Sequence, residues 1–172
     1  PGDNLMKIAR FMTVLLLATA LSAVAFAQDG KPIENEEFAV TITPPGKWEV
    51  SQGNDKAVAN FKHRGSQSQI EVVGTKLMTA DVADVFFSTF HKTLTESNFE
   101  QVKAEETAVG TVRGTETTYR FSHSGVTLEV VVFQFLREST AWLVVGYMQD
   151  VEKEKYVDDF HSVISNMKFK GG

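Results

Sequence analysis

Val126–Arg137 reads VTLEVVVFQFLR and Ala141–Met148 reads AWLVVGYM. A strand with one wet face alternates apolar and polar residues. These two are apolar on both faces in their middles, so they need cover from both sides. Their connector, Glu138-Ser139-Thr140, is short enough for a hairpin, which makes the pair antiparallel. The two stretches therefore predict a hairpin at the centre of a sheet that is covered above and below.

Working outward, Thr111–Ser122 is a strand of a different kind. Thr115, Thr117, Tyr119 and Phe121 share one face, opposite Glu116, Thr118 and Arg120. Phe99–Glu105 is a further strand candidate. Before it, residues 79–98 change period: Val82, Val85, Phe86, Thr89, Phe90 and Leu94 form one helical stripe, with Thr79 or Asp81 as the expected N-cap. After the hairpin, Val151–Asn166 repeats the pattern, with Tyr156, Phe160, Val163, Ile164 and Met167 on one stripe and Asp150 as the expected N-cap. Met167–Lys170 adds a short extended piece.

Four strands precede the first helix, at 38–43, 47–51, 57–62 and 69–76. Pro44-Pro45-Gly46, Gly53-Asn54-Asp55 and the polar stretch 63–68 separate them. Trp48, after Pro45-Gly46, reads as a core anchor at the sheet's edge. The fold class expected is α+β: an α/β/α sandwich with a mainly antiparallel sheet of about six to eight strands and two long helices. Its core should hold Val130, Val132, Phe133, Leu143, Val145, Phe86, Phe90, Phe160 and Ile164.

The opening of the chain is an address. Lys7 and Arg10 form a positive region, Phe11–Val24 is apolar, and Ala25-Phe26-Ala27 is an A-x-A cleavage site with Gln28 as the new N-terminus. Pro1–Leu5 precede Met6 and are set aside from fold reasoning together with the signal peptide. The apolar run is shorter than the ~20 residues of a spanning helix, and no second run is long enough to span. Residues 28–36 read as a flexible leader and 37–170 as a single domain, in a secreted or periplasmic protein.

The chain has 172 residues, net charge −5 and no cysteine. Removal of residues 1–27, with Asp3, Lys7 and Arg10, takes away one net positive charge and leaves −6. Without cysteine there is no disulfide framework, thiolate metal site, cysteine nucleophile or lipidated cysteine. The acidic balance argues against nucleic acid, whose recognition draws on basic patches.

Certain features then coincide. An early strand runs into Pro45-Gly46-Lys47-Trp48, and a short strand, Val58–Phe61, follows. A helix ends near Leu94 with Phe99 just after it, and Gly114 sits inside a long strand. Two apolar strands lead to a C-terminal helix ending Ile164-Ser165-Asn166-Met167-Lys168-Phe169. In this order of elements the chain resembles the PsbP-like superfamily over nearly all of residues 37–170. That superfamily includes the extrinsic photosystem II protein PsbP, DcrB-type bacterial envelope proteins and nuclear Ran-binding release factors. The resemblance implies an α/β/α sandwich and a role without catalysis, docking onto a larger assembly or a partner. It selects no partner, because one fold serves many functions.

The catalytic motifs are absent: no G-x-G-x-x-G, phosphate loop, H-E-x-x-H, calcium loop or G-x-S-x-G. Gly110 and Gly114 read as turn and close-packing glycines. Ser122-His123-Ser124 places serine and histidine on opposite faces of a strand, poor geometry for proton transfer. Glu154, Asp158 and His161 fall at i, i+4 and i+7 on the outer face of the last helix. They are the weak candidates for a metal site, beside the simpler reading of a solvated helix face. Phe87 and His91, one turn apart and off the first helix's stripe, are the candidates for a partner surface; the alternative is Phe87 packed under a loop.

The expected function is therefore a non-catalytic binding or assembly module docking onto a protein of the cell envelope, with no cofactor. A small-ligand or metal-binding envelope protein is the second reading. A hydrolase with a site assembled from distant residues is the third.

Overall fold

The computed structural model of the protein describes residues 30–51 and 57–170. The signal-peptide reading, with its junction at Ala27 and Gln28, lies outside those residues. The strands are β1 (Ile33–Asn35), β2 (Val40–Ile42), β3 (Trp48–Val50), β4 (Ala57–His63), β5 (Gln69–Lys76), β6 (Glu100–Val109), β7 (Val112–His123), β8 (Val126–Arg137), β9 (Thr140–Gln149) and β10 (Lys168–Phe169). Helix α1 (Ala83–Glu96) follows β5, and α2 (Lys153–Ser165) follows β9.

Seven strands form one antiparallel sheet in the order β3-β4-β5-β9-β8-β7-β6. The two-sided apolar hairpin, β8–β9, lies near its middle, as its sequence requires. Arg137 pairs with Thr140, so the turn is the two residues Glu138-Ser139, with Glu138 in the left-handed region at φ 54°. Ser124 and Gly125, between β7 and β8, both have positive φ, the mark of a tight hairpin turn whose twist suits the strands. Gly114 marks a close approach inside β7. A Cβ there would lie 2.3 Å from the Gln134 carbonyl oxygen of β8 and 2.8 Å from the Phe133 ring.

One face of the sheet carries Val131, Phe133, Trp142, Val144 and Met148, and α2 covers it with Tyr156, Phe160, Val163 and Ile164. A small antiparallel sheet, β1-β2-β10, extends that layer, with Val40 and Ile42 joining the same core. Its first strand falls in the stretch expected as a flexible leader: Ile33–Asn35 pairs with Val40–Ile42, and β10 pairs along the other edge of β2. The opposite face carries Tyr119, Val130, Val132, Leu143 and Val145 under α1. The core expected from the sequence is buried, except that Phe86 and Phe90 are only half-buried. Trp48, on the edge strand β3, is buried as an anchor.

Two expectations about the helices are corrected. Neither has a side-chain N-cap; each is led in by a 3-10 turn, Ala80–Val82 before α1 and Asp150–Glu152 before α2. The Thr79 side chain hydrogen-bonds to Asp81 instead, which holds the Asp81 carboxyl below its usual pKa. The second correction is the phase of α1. Val82 and Val85 are 38% and 66% exposed, whereas Phe87, weighed as a partner-surface candidate against packing under a loop, is 7% exposed. A 3-10 turn advances about 120° per residue rather than 100°, so a stripe that begins in it does not continue in phase through the helix. The helix settles with Ala83 and Phe87 inward because a phenyl ring brings more apolar area out of water than a valine.

Candidate functional site

The start of α1 leaves large apolar side chains in water. Met78 is 98% exposed, and Val82 and Val85, three positions apart across the first turn, share a face. The helix cannot turn them inward, because the opposite side already packs Ala83 and Phe87 against the sheet. Sequence periodicity missed this patch by assigning the two valines to the core stripe.

His91, the companion of Phe87 in the sequence reading, faces the sheet. Its Nδ1 meets the Tyr119 hydroxyl, and its Nε2 lies 2.5 Å from Gln134 Oε1. Burial pushes the Tyr119 phenol up to about 12, so the hydroxyl keeps its proton and donates it to Nδ1. Nε2 then carries the imidazole hydrogen and donates to the Gln134 oxygen. Both ring nitrogens of His91 are occupied, and the arrangement ties α1 to β7 and β8. Phe87 and His91 are thus not brought together on a free surface.

At the other end of β5 from Met78, the turn between β4 and β5 opens a shallow groove of about 600 Å3. Glu49, Lys62, His63, Arg64, Gln149 and Glu152 are among its walls. Beneath it, Trp48, His63 and Tyr156 pack ring to ring, with centroids 4.4–5.6 Å apart. Trp48 Nε1–H donates to Asp159 Oδ2 at 2.7 Å, which joins the edge strand to α2. The Gly65 amide donates to His63 Nδ1 at 3.1 Å, and the Tyr156 hydroxyl lies 3.1 Å from the same atom. Arg64 and Glu49 pair at 2.7 Å, and the Ser68 hydroxyl donates to Glu152. The sequence held no signal for this groove beyond a polar turn at 63–68.

The three residues weighed as metal ligands do not converge. His161 turns toward β7 and meets Glu116 at 2.7 Å, while Glu154 stays exposed on α2. The Glu116 hydrogen bond holds the His161 pKa above its ordinary 6.5, against the opposing effect of burial. Among the described residues no group of three or more His, Asp or Glu side chains is placed to hold a metal ion. The deepest charge is Glu129, 2% exposed, beside Arg120 at 2.7 Å and Lys153 at 2.6 Å. Burial pushes its carboxyl up, and Lys153 and Arg120 pull it down by more. This cluster fastens the start of α2 to β7 and β8.

No protein-family model matches the sequence, and no curated protein is detectably similar to it. Solved structures do match. Cyanobacterial PsbP from Synechocystis superposes with TM-score 0.55 at 13% identity, over 87% of this chain and 97% of that one. LpqN, involved in cell envelope biogenesis of Mycobacterium tuberculosis, superposes with TM-score 0.50 at 11% identity, over 81% of this chain and 84% of that one. A Bacteroides thetaiotaomicron protein superposes with TM-score 0.59 at 13% identity over 83% of this chain, which spans about half (49%) of its length. The fold is PsbP-like, as the order of elements in the sequence implied. Among the described residues no helix is long and apolar enough to cross a membrane.

Proposed function

We propose that this protein is a secreted or periplasmic binding module that docks onto a protein of the cell envelope without catalysing a reaction. The observation that carries the reading is the apolar start of α1. Met78, Val82 and Val85 stand in water within eight residues of chain, next to a helix whose inward face is already satisfied. Exposed apolar side chains gathered in one place suit a protein contact, where their removal from water on association is favourable. The fold shared with a PsbP and with a mycobacterial protein of envelope biogenesis supports the same reading. So does the A-x-A junction at Ala25-Phe26-Ala27, with Gln28 as the first mature residue. The partner surface lies on the helix that the sequence reading singled out, on the side away from Phe87.

The test is co-isolation from native envelopes of the chain produced with its own leader, beside Val82→Glu/Val85→Glu. Both substitutions fall on solvent-facing positions, so the melting temperature should be unchanged within about 0.5 kcal/mol of stability. The expected outcome is a defined partner held by the parent chain and lost from the variant. A partner retained equally by the variant would place docking elsewhere.

A further inference from the structure

We propose that the apolar start of α1 takes a basic amphipathic segment of its partner, one whose apolar stripe is flanked by Lys or Arg. This inference rests on the docking surface of the preceding reading and adds the chemistry of what covers it. The patch extends past the helix. Leu136 of β8, 41% exposed, pairs with Ala141 and so stands on the α1 side of the sheet, where Ala141 packs in the same core as Ala83. The Leu77 amide donates to the Ser139 carbonyl oxygen at 2.7 Å, which sets Met78 next to the β8–β9 turn. Met78, Val82, Val85 and Leu136 thus gather at one corner of the molecule.

The charges at that corner have one sign. Asp81 and Asp84 are the only charged residues between Leu77 and Phe90; both are exposed, and they adjoin Val82 and Val85 in the chain. Glu138, exposed at the tip of the β8–β9 turn, adds a third acid. The dipole of α1 favours acids in its first turn, but it does not place Glu138. The cations that flank the corner in the chain are engaged elsewhere. Lys76 and Arg137 lie over the Phe38 and Phe169 rings at 5.4 and 4.5 Å, on the α2 side of the sheet. Lys92, further along α1, pairs with Glu96 at 3.8 Å. An apolar centre with an acidic rim is complementary to an apolar stripe with a basic rim. A second copy seated on the patch by two-fold symmetry would set Asp81, Asp84 and Glu138 against the same acids, and an anionic lipid surface would be repelled.

The experiment measures binding of two synthetic helical peptides to the mature chain by fluorescence anisotropy. The peptides share a leucine stripe and differ only in whether Lys or Glu flanks it. The Lys-flanked peptide should bind, and the Glu-flanked one should bind about tenfold more weakly. Asp81→Asn/Asp84→Asn should weaken the Lys-flanked peptide about fivefold, the effect of two exposed ion pairs. Glu154→Gln/Asp158→Asn removes the same charge from exposed positions of α2, across the sheet, and should change binding by less than about twofold. Val82→Ser/Val85→Ser should abolish binding at an unchanged melting temperature, since both positions face solvent. Equal binding of the two peptides, both lost in Val82→Ser/Val85→Ser, would overturn the basic partner and leave docking at the patch standing. Binding that Val82→Ser/Val85→Ser leaves intact would overturn both. Equal losses in the two acid-neutralised variants would show general attraction to an acidic chain and overturn the inference, as would no binding of either peptide. A dimer in sedimentation, or binding to phosphatidylglycerol vesicles, that the valine substitutions abolish would put a second copy or lipid on the patch instead.

Discussion

His161 and Glu116 are 45 positions apart in the chain, and their 2.7 Å contact is a residue-scale event that no local pattern announces. Periodicity correctly put His161 off the apolar stripe of α2, but could not say which strand that flank would meet. The pair gives a pH signature. His161 has a folded-state pKa above 6.5 because Glu116 hydrogen-bonds it, so its contribution to stability is complete below the unfolded value and lost as pH rises through the raised one. Glu116→Gln should therefore destabilise the protein at about pH 5.5 and have much less effect at about pH 8.5. The side chain of His161 is 36% exposed, so water screens the pair and the difference should be about 0.5 kcal/mol. Urea melts of parent and variant at both pH values measure it, and equal losses at the two would show that the contact carries no charge. Lys62 and His63 are the same kind of case: each was visible as a residue type, but their neighbours in the groove come from Gln149 and Glu152, far along the chain.

Among the elements, the apolar stripe of α2 was legible in full, though not its N-cap, and that of α1 only in part. Tyr156, Phe160, Val163 and Ile164 keep one phase from end to end, and all are buried. The helix sits so close to the sheet that a Cβ on Gly146 of β9 would come within 2.9 Å of the Phe160 ring. Phe160→Ala should cost ~3–5 kcal/mol through the cavity it leaves, read as a lowered denaturant midpoint with unchanged slope. A loss below about 1 kcal/mol would mean that α2 is not docked on this face. In α1 the reading went out of phase because Val82 belongs to the 3-10 lead-in, whose wider angular step is invisible in a periodicity count. One residue of lag was enough to exchange Val85 for Phe87. That exchange moves the exposed apolar surface from an aromatic beside a histidine to a pair of valines and Met78. The short strand β1 escaped for a related reason: three residues are too few for a period, and only pairing with Val40–Ile42 makes Ile33–Asn35 a strand.

For the whole molecule, the two-sided apolar hairpin settled the architecture, because strands like β8 and β9 exist only between two covering layers. Length and order supplied the layers, a helix on one face and a helix with a small sheet on the other. The candidate sites were less legible because binding surfaces are made of what the core does not use, and that becomes visible only after the core has chosen its side chains. We propose docking through the exposed apolar residues at the start of α1, and site-specific photo-crosslinking in living cells tests it, with the photoreactive residue placed at Val85 and, as a control, at Glu154, which is exposed on α2 across the sheet. One discrete protein adduct is expected from position 85 and none from position 154. Adducts of equal yield from both positions, or none from 85 while the chain is folded and exported, would rule this docking surface out.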